Sequence, residues 1–226
     1  ALTAVSPSLP EADRLRAEQL ARAMGVRQIV VESRELDDPS YAANPTNRCY
    51  FCKNELYRLC QAQAEALGVP AILDGTNVDD LADHRPGRQA AAERGVRSPL
   101  VEAGLTKADI RALSRDMGLE TWDQPSSPCL SSRIAYGTPV TPAALARIEA
   151  CEKILREKGF REVRVRHHDT LARIEVGRGE IERLLDAQLR DEIVRRFKEA
   201  GYVYVTIDLA GFRSGSGNET LGPGGM

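Results

Sequence analysis

The first 32 residues read as strand, helix, strand, and that order leaves few folds open. Residues 2–5 predict a short strand, residues 10–24 a helix entered through Pro10 and closed by Gly25, and Arg27-Gln28-Ile29-Val30-Val31-Glu32 a second strand. Parallel neighbours need a crossover between them, so a β-α-β unit predicts a parallel sheet. A loop of Asp, Pro and Asn residues follows, then a helix over about 53–67 stopped by Gly68. The strand Pro70-Ala71-Ile72-Leu73 then leads directly into Asp74-Gly75-Thr76-Asn77. Thr106 caps a further helix, with Ile110, Leu113 and Met117 on one face and Gly118 beyond its end. The irregular stretch from Glu120 to Thr141 is long enough to expect function in it.

From Thr141 the pattern changes. Thr141-Pro142 starts a helix to about Lys158, and the strands 162–167 and 171–176, a helix over about 179–200 and the strand 202–209 follow. This predicts a small α+β unit without crossover alternation, with a domain boundary near residue 140. The expected organisation is an α/β domain over 1–140 and an α+β domain over 141–226. With 31 Lys+Arg against 33 Asp+Glu, the chain has no broad basic footprint, which disfavours nucleic acid as a partner. Its apolar runs are too short to span a bilayer and its opening lacks the marks of a secretory signal, so a cytoplasmic protein is expected.

Five cysteines, an odd number, argue against a disulfide framework. Cys60 and Cys151 lie in helical apolar patterns and are expected to fill core. Cys49 and Cys52 stand three apart at the mouth of a helix in Asn47-Arg48-Cys49-Tyr50-Phe51-Cys52-Lys53, where the helix N-terminus and the cations favour thiolates. That pair alone suits zinc, a redox dithiol or neither. Cys129 lies in the loop Pro125-Ser126-Ser127-Pro128-Cys129-Leu130-Ser131-Ser132-Arg133, which core filling explains poorly. Three thiolates leave one iron of an iron–sulfur cluster open to an outside ligand; zinc completed by His84 is the alternative, with His84 the weaker candidate.

Asp74-Gly75-Thr76-Asn77 with Asp79 and Asp80 follows a predicted strand, where parallel sheets collect ligands; a nucleotide or Mg²⁺ suits these groups, and so does a plain turn. Arg164 and Arg166 alternate along one strand and share a face, with Arg133 and Arg173 as further cations. Such forks suit a phosphate or carboxylate, or pair with acids such as Glu162 and Glu175 on an exposed sheet face. Trp122 either walls a pocket or packs under its loop.

Taken in order, Asn47-Arg48-Cys49-x-x-Cys52-Lys53, Asp74-Gly75-Thr76-Asn77-x-Asp79-Asp80, Arg85-Pro86-Gly87, Arg97-Ser98-Pro99-Leu100 and Pro128-Cys129-Leu130-Ser131-Ser132-Arg133-Ile134 form a specific set. The set continues into Arg164-Val165-Arg166-His167 and Gly211-Phe212-Arg213-Ser214-Gly215-Ser216-x-Asn218-Glu219, covering nearly the whole chain. It resembles the ATP-dependent sulfur transferases that make the nickel-pincer nucleotide cofactor, the LarE family of PP-loop ATP pyrophosphatases. The resemblance implies a parallel-sheet domain of the adenine nucleotide alpha hydrolase type plus a small C-terminal domain for substrate binding and oligomerisation. It implies ATP and Mg²⁺ as cofactors, and adenylation of a carboxylate of pyridinium-3,5-biscarboxylic acid mononucleotide before sulfur displaces AMP.

By the same resemblance Gly75, Thr76, Asn77 and Asp80 contact the nucleotide, and Arg133, Arg164 and Arg166 hold the substrate phosphate. Cys129 is the expected catalytic residue, and Cys49, Cys52 and Cys129 the ligands of a 4Fe–4S cluster whose unique iron carries sulfur. Relatives that sacrifice the equivalent of Cys129 as the sulfur source are the alternative, as are PP-loop enzymes that thiolate tRNA or form amides and a zinc-stabilised binding module. The resemblance also implies a homo-oligomer. The family's Ser-Gly-Gly-x-Asp-Ser phosphate loop is not among these residues, so the first β-α unit is expected to be missing and ATP cleavage by these residues alone to be weak.

Overall fold

The computed structural model describes residues 1–81, 86–125, 127–213 and 216. The chain packs as two compact units, Ala1–Ser127 and Pro128–Met226. Residues 128–140, grouped with the first domain in the sequence reading, pack with the second unit. Leu130, Ile134 and Val140 are buried, and Ile134 bridges to His167.

The first unit opens as expected. Strands β1 (Leu2–Val5) and β2 (Ile29–Glu32) pair in parallel, Leu2 opposite Ile29 and Val5 opposite Glu32, joined by helix α1 (Glu11–Ala23). Pro10 precedes α1, and Glu11 and Asp13 in its first turn oppose the positive end of the helix dipole. A short helix α2 (Pro39–Ala42), capped by Asp38, leads to α3 (Arg48–Leu67). Helix α3 begins five residues earlier than expected, so Cys49 and Cys52 lie on its first turns. It ends at Gly68, whose φ of 64° is the left-handed conformation glycine adopts without strain.

The strand expected at 70–73 does not form. Only Leu73 bridges, to Arg97, through bonds from Arg97 N to Ile72 O (3.0 Å) and Asp74 N to Arg97 O (2.9 Å). Pro70 has no N–H to give, and Ser98-Pro99 turns the partner segment at once into a helix, which confines the pairing. The parallel sheet of this unit therefore has two strands among the described residues. Helices α4 (Gly87–Glu93), α5 (Pro99–Glu102) and α6 (Lys107–Asp116) complete the unit. Thr106 caps α6 in a reciprocal box with Asp109. Leu113 and Met117 stay exposed, as does Trp122, whose ring lies 5.7 Å from the Arg115 guanidinium.

In the second unit α7 (Pro142–Glu157) starts at Thr141, whose hydroxyl accepts from Ala144 N. Strands β3 (Val163–His168) and β4 (Leu171–Val176) form an antiparallel hairpin. The helix expected over 179–200 is broken at Asp186, which caps α8 (Ala187–Glu199) after a 3₁₀ stretch, Arg178–Leu185. Strand β5 (Tyr204–Ile207) is shorter than expected because Tyr202 turns into the core, where it is 2% exposed. It pairs in parallel with β4, so α8 is a crossover; the expectation of no crossover fails because β5 runs parallel to β4, where a meander would run it antiparallel in the same place. One sheet face, with Val163, Val165, Ile174 and Val176, packs on Leu155, Ile193 and Phe197. Cys151 is buried in that core as expected, and burial pushes its thiol up to about 12. Cys60 is only half-buried. Among the described residues no helix is long and apolar enough to cross a membrane.

Candidate functional site

In the first unit the two thiols sit three residues apart on α3 and so share a helix face, Cys49 exposed and Cys52 half-buried. The turn before them is held by Arg48, buried, which donates to the side-chain oxygen of Asn44. Helix α4 presses against the same turn. A Cβ on Gly87 would stand 2.7 Å from Lys53 Cγ and 3.3 Å from the Cys49 carbonyl oxygen, so only glycine fits there without a shift. The Lys53 ammonium lies 5.5 Å from the centre of the Tyr57 ring.

Tyr57 links α3 to the Asp74 turn. Its hydroxyl donates to Asp74 Oδ2 (3.1 Å), which also accepts from Thr76 Oγ1 (2.9 Å), while Oδ1 accepts from Ser98 Oγ (2.7 Å) and Thr76 N (3.1 Å). Partial burial opposes the charge on Asp74, but these donors, led by Ser98, outweigh it and hold the carboxyl below its ordinary 3.8. Burial, and then the same carboxylate, push the Tyr57 phenol up. Because the folded value is depressed, the Asp74 contribution to stability is complete above 3.8 and is lost as pH falls through the folded value. Urea unfolding of the parent and Asp74→Asn proteins should therefore differ above pH 5 and converge in acid; a gap that stays constant with pH would remove the charged carboxylate from this account.

Beyond the turn, Asn77 N donates to Asp80 Oδ2 (3.2 Å), and Lys107 Nζ lies 3.2 Å from Asp80 Oδ1. Lys107 N donates to Asp79 Oδ2. Asn77 is 7% exposed, and its Oδ1 is buried without a hydrogen-bond donor among the described residues. Gly75 is open, since an added Cβ would meet nothing within 4 Å. The structure thus brings Gly75, Thr76, Asn77 and Asp80 together over two successive turns, with an unanswered acceptor. His84 lies outside the described residues, as do Arg85, Ser214, Gly215, Asn218 and Glu219.

In the second unit Cys129 is half-buried at the start of a 3₁₀ turn, Leu130–Arg133, and its carbonyl accepts from Ser132 N. Arg164 and Arg166 share the sheet face away from the core, with Arg173 and Glu175 of β4 opposite them. Arg166 forks onto Glu175 (2.9 and 3.1 Å) and reaches Ser132 O (2.8 Å) and Ser216 Oγ (2.7 Å). The Arg164 guanidinium stacks 4.9 Å from the Phe212 ring centre, and burial and then the Arg133 charge pull it down to about 10. Arg133, expected to face an outside anion, points inward: it forks onto Glu152 (2.7 and 3.2 Å), and both side chains have no exposed surface.

Glu152, which joins Arg133 to the backbone of β3, carried no role in the sequence reading. Its signal was present: a carboxylate on the stripe of α7 that holds Ile148, Cys151 and Leu155 must be buried and must find cations. Tyr57 and Ser98 were missed because only the fold brings them to Asp74. Among the described residues no group of three or more His, Cys, Asp or Glu is assembled to hold a metal ion. Cys49 and Cys52 belong to one unit and Cys129 to the other.

No protein-family model matches the chain. It is 45% identical over 221 residues to an uncharacterized protein of Synechocystis, covering 98% of this chain and 82% of the relative. It is 39% identical over 206 residues to the pyridinium-3,5-bisthiocarboxylic acid mononucleotide synthase of Lactiplantibacillus plantarum, covering 91% of this chain and 74% of the relative. A probable tRNA sulfurtransferase of Methanobrevibacter smithii is more distant, 24% identical over 54% of this chain and 32% of its own length.

Proposed function

Since this chain belongs to the pyridinium-3,5-bisthiocarboxylic acid mononucleotide synthase family of sulfur-transferring enzymes, we propose that it converts the carboxylates of pyridinium-3,5-biscarboxylic acid mononucleotide to thiocarboxylates with ATP. The carrying observation is the likeness to the Lactiplantibacillus plantarum synthase along 91% of the chain. A carboxylate oxygen attacks the α-phosphorus of ATP and pyrophosphate leaves; sulfur then attacks the acyl carbon and AMP leaves. The first step makes a poor electrophile reactive, and the second uses sulfur as the better nucleophile.

In this reading Gly75, Thr76, Asn77 and Asp80 contact the nucleotide, supported by the unanswered Asn77 Oδ1, which suits a ribose hydroxyl or base amine. Mg²⁺, which offsets phosphate charge when bound, suits the exposed Asp79, one of whose oxygens is engaged by Lys107 N. Arg164 and Arg166 attract the substrate phosphate to the charged sheet face. Cys129 precedes the turn whose Ser132 carbonyl accepts from Arg166, which supports sulfur delivery beside that face. Cys49, Cys52 and Cys129 would hold a 4Fe–4S cluster, whose remaining iron supplies a binding place for the sulfur to be delivered. That the three thiols share one cluster rests on the likeness in sequence. A cytoplasmic homo-oligomer completes the reading.

The relative in Methanobrevibacter smithii favours a second reading, thiolation of tRNA. A net charge of −2 without a strong basic tract weighs against it. Intact protein, reconstituted anaerobically with iron and sulfide, is expected to bind about four irons per chain and, with ATP, to exchange carboxylate oxygen for sulfur in the pyridinium nucleotide, read by mass spectrometry. Thiolated tRNA in the parallel reaction would replace the substrate; colourless protein would remove the cluster.

A further inference from the structure

Every nitrogen of Arg133 is engaged inside its own unit. Besides its fork onto Glu152, its Nη1 donates to Pro128 O (2.6 Å), Cys129 O (3.1 Å) and Ser132 Oγ (2.8 Å). The guanidinium therefore grips the carbonyls of the two peptides that flank the Cys129 side chain, and the turn that follows. Glu152 completes the connection: its Oε1 also accepts from Val165 N (3.1 Å) and its Oε2 from Arg156 (2.7 Å). Val165 sits on β3 between Arg164 and Arg166. One carboxylate thus joins the Cys129 loop to the strand that carries both arginines, and Arg166 makes a second connection through Ser132 O.

Burying two ions is costly, and apolar side chains of similar size commonly serve stability as well or better. What an apolar pair cannot do is fix a carbonyl by directed hydrogen bonds, and the Cys129 carbonyl is among those fixed. With no exposed surface Arg133 presents nothing to an outside phosphate, whereas Arg166 keeps a tenth of its side chain exposed.

We propose that Arg133, with Glu152, is a positioning residue that sets the Cys129 loop against strand β3, so that sulfur meets a carboxylate of a nucleotide whose phosphate lies on Arg164 and Arg166. The inference rests on the sulfur-transfer role of Cys129. The test compares intact parent protein with Arg133→Lys, which keeps the charge but loses the fork, and the double variant Arg133→Met/Glu152→Met, which removes both ions together and guards against misfolding. Both variants should lower kcat by about 100-fold, the effect of a misplacement near 1 Å, while KM for the pyridinium nucleotide changes less than about twofold. Iodoacetamide alkylation of Cys129, followed on its own peptide, should quicken in both variants, whether or not the thiol transfers sulfur.

A KM that rises tenfold with kcat unchanged would make Arg133 a substrate ligand and overturn the proposal, as would alkylation and kcat both equal to the parent's. If Cys129→Ala keeps full activity, the functional reading fails instead, and the alkylation rates still decide whether Arg133 sets the loop.

Discussion

Cys129→Ala in the intact protein is expected to cut thiocarboxylate formation by about three orders of magnitude or more, the scale on which enzymes lose a nucleophile or its carrier. Binding of the pyridinium nucleotide should change less than about twofold, because the charged face of β3 and β4 holds its own ion pairs without the thiol. The size of the effect follows from where the sulfur atom sits. Cys129 is half-buried at the head of a turn whose backbone is gripped by Arg133, so a thiol elsewhere on the loop cannot take its place. The mass of the parent protein after one turnover separates two versions of the chemistry. Loss of H₂S from Cys129, leaving dehydroalanine, marks a sacrificial donor; unchanged protein mass with continued turnover marks a carrier. Full activity of the variant would remove Cys129 from both.

The second large effect concerns the fold. Glu175 has no exposed surface, accepts a fork from Arg166 and lies 3.3 Å from both Arg173 Nη2 and Ser216 Oγ. Glu175→Ala should destabilise the protein by about 3–5 kcal/mol, because truncating one partner strands the other charge in a poorly hydrated place. Arg166 is that charge, with a side chain only 10% exposed and with Arg164 beside it on the strand. Urea unfolding followed by circular dichroism measures the change. A loss below about 1 kcal/mol, the worth of an exposed pair, would mean that the face is wetter than the packing implies.

The periodic part of the fold was legible in the chain. Strands β1, β2, β3 and β4 and helices α1, α6 and α7 appear where apolar spacing, Thr caps and terminal glycines put them. What failed was pairing. A run such as Pro70-Ala71-Ile72-Leu73 has strand composition, yet strand formation depends on a partner, and the partner leaves the ladder after Arg97. The parallel place of β5 beside β4 was hidden for the same reason, since register is a property of two segments.

The candidate site divided along a similar line. Residues close in sequence, such as Cys49 with Cys52 and Gly75 with Asn77, lie side by side as spacing alone implies. Arg133 was singled out as a cation without its partner, because the charge pattern of a loop does not tell which acid will claim it. Glu152, 19 residues further on, claims it.

The contact at Gly87 has a consequence for anyone altering the thiol pair. Where α4 meets α3 the spacer between the two backbones is a single hydrogen atom, and the next atoms outward are the stem of Lys53 and the carbonyl of Cys49. Any side chain inserted at 87 acts as a wedge, and its thickness is passed to the very peptide from which Cys49 hangs. Position 87 therefore offers a remote adjustment of sulfur placement that leaves every thiol chemically intact.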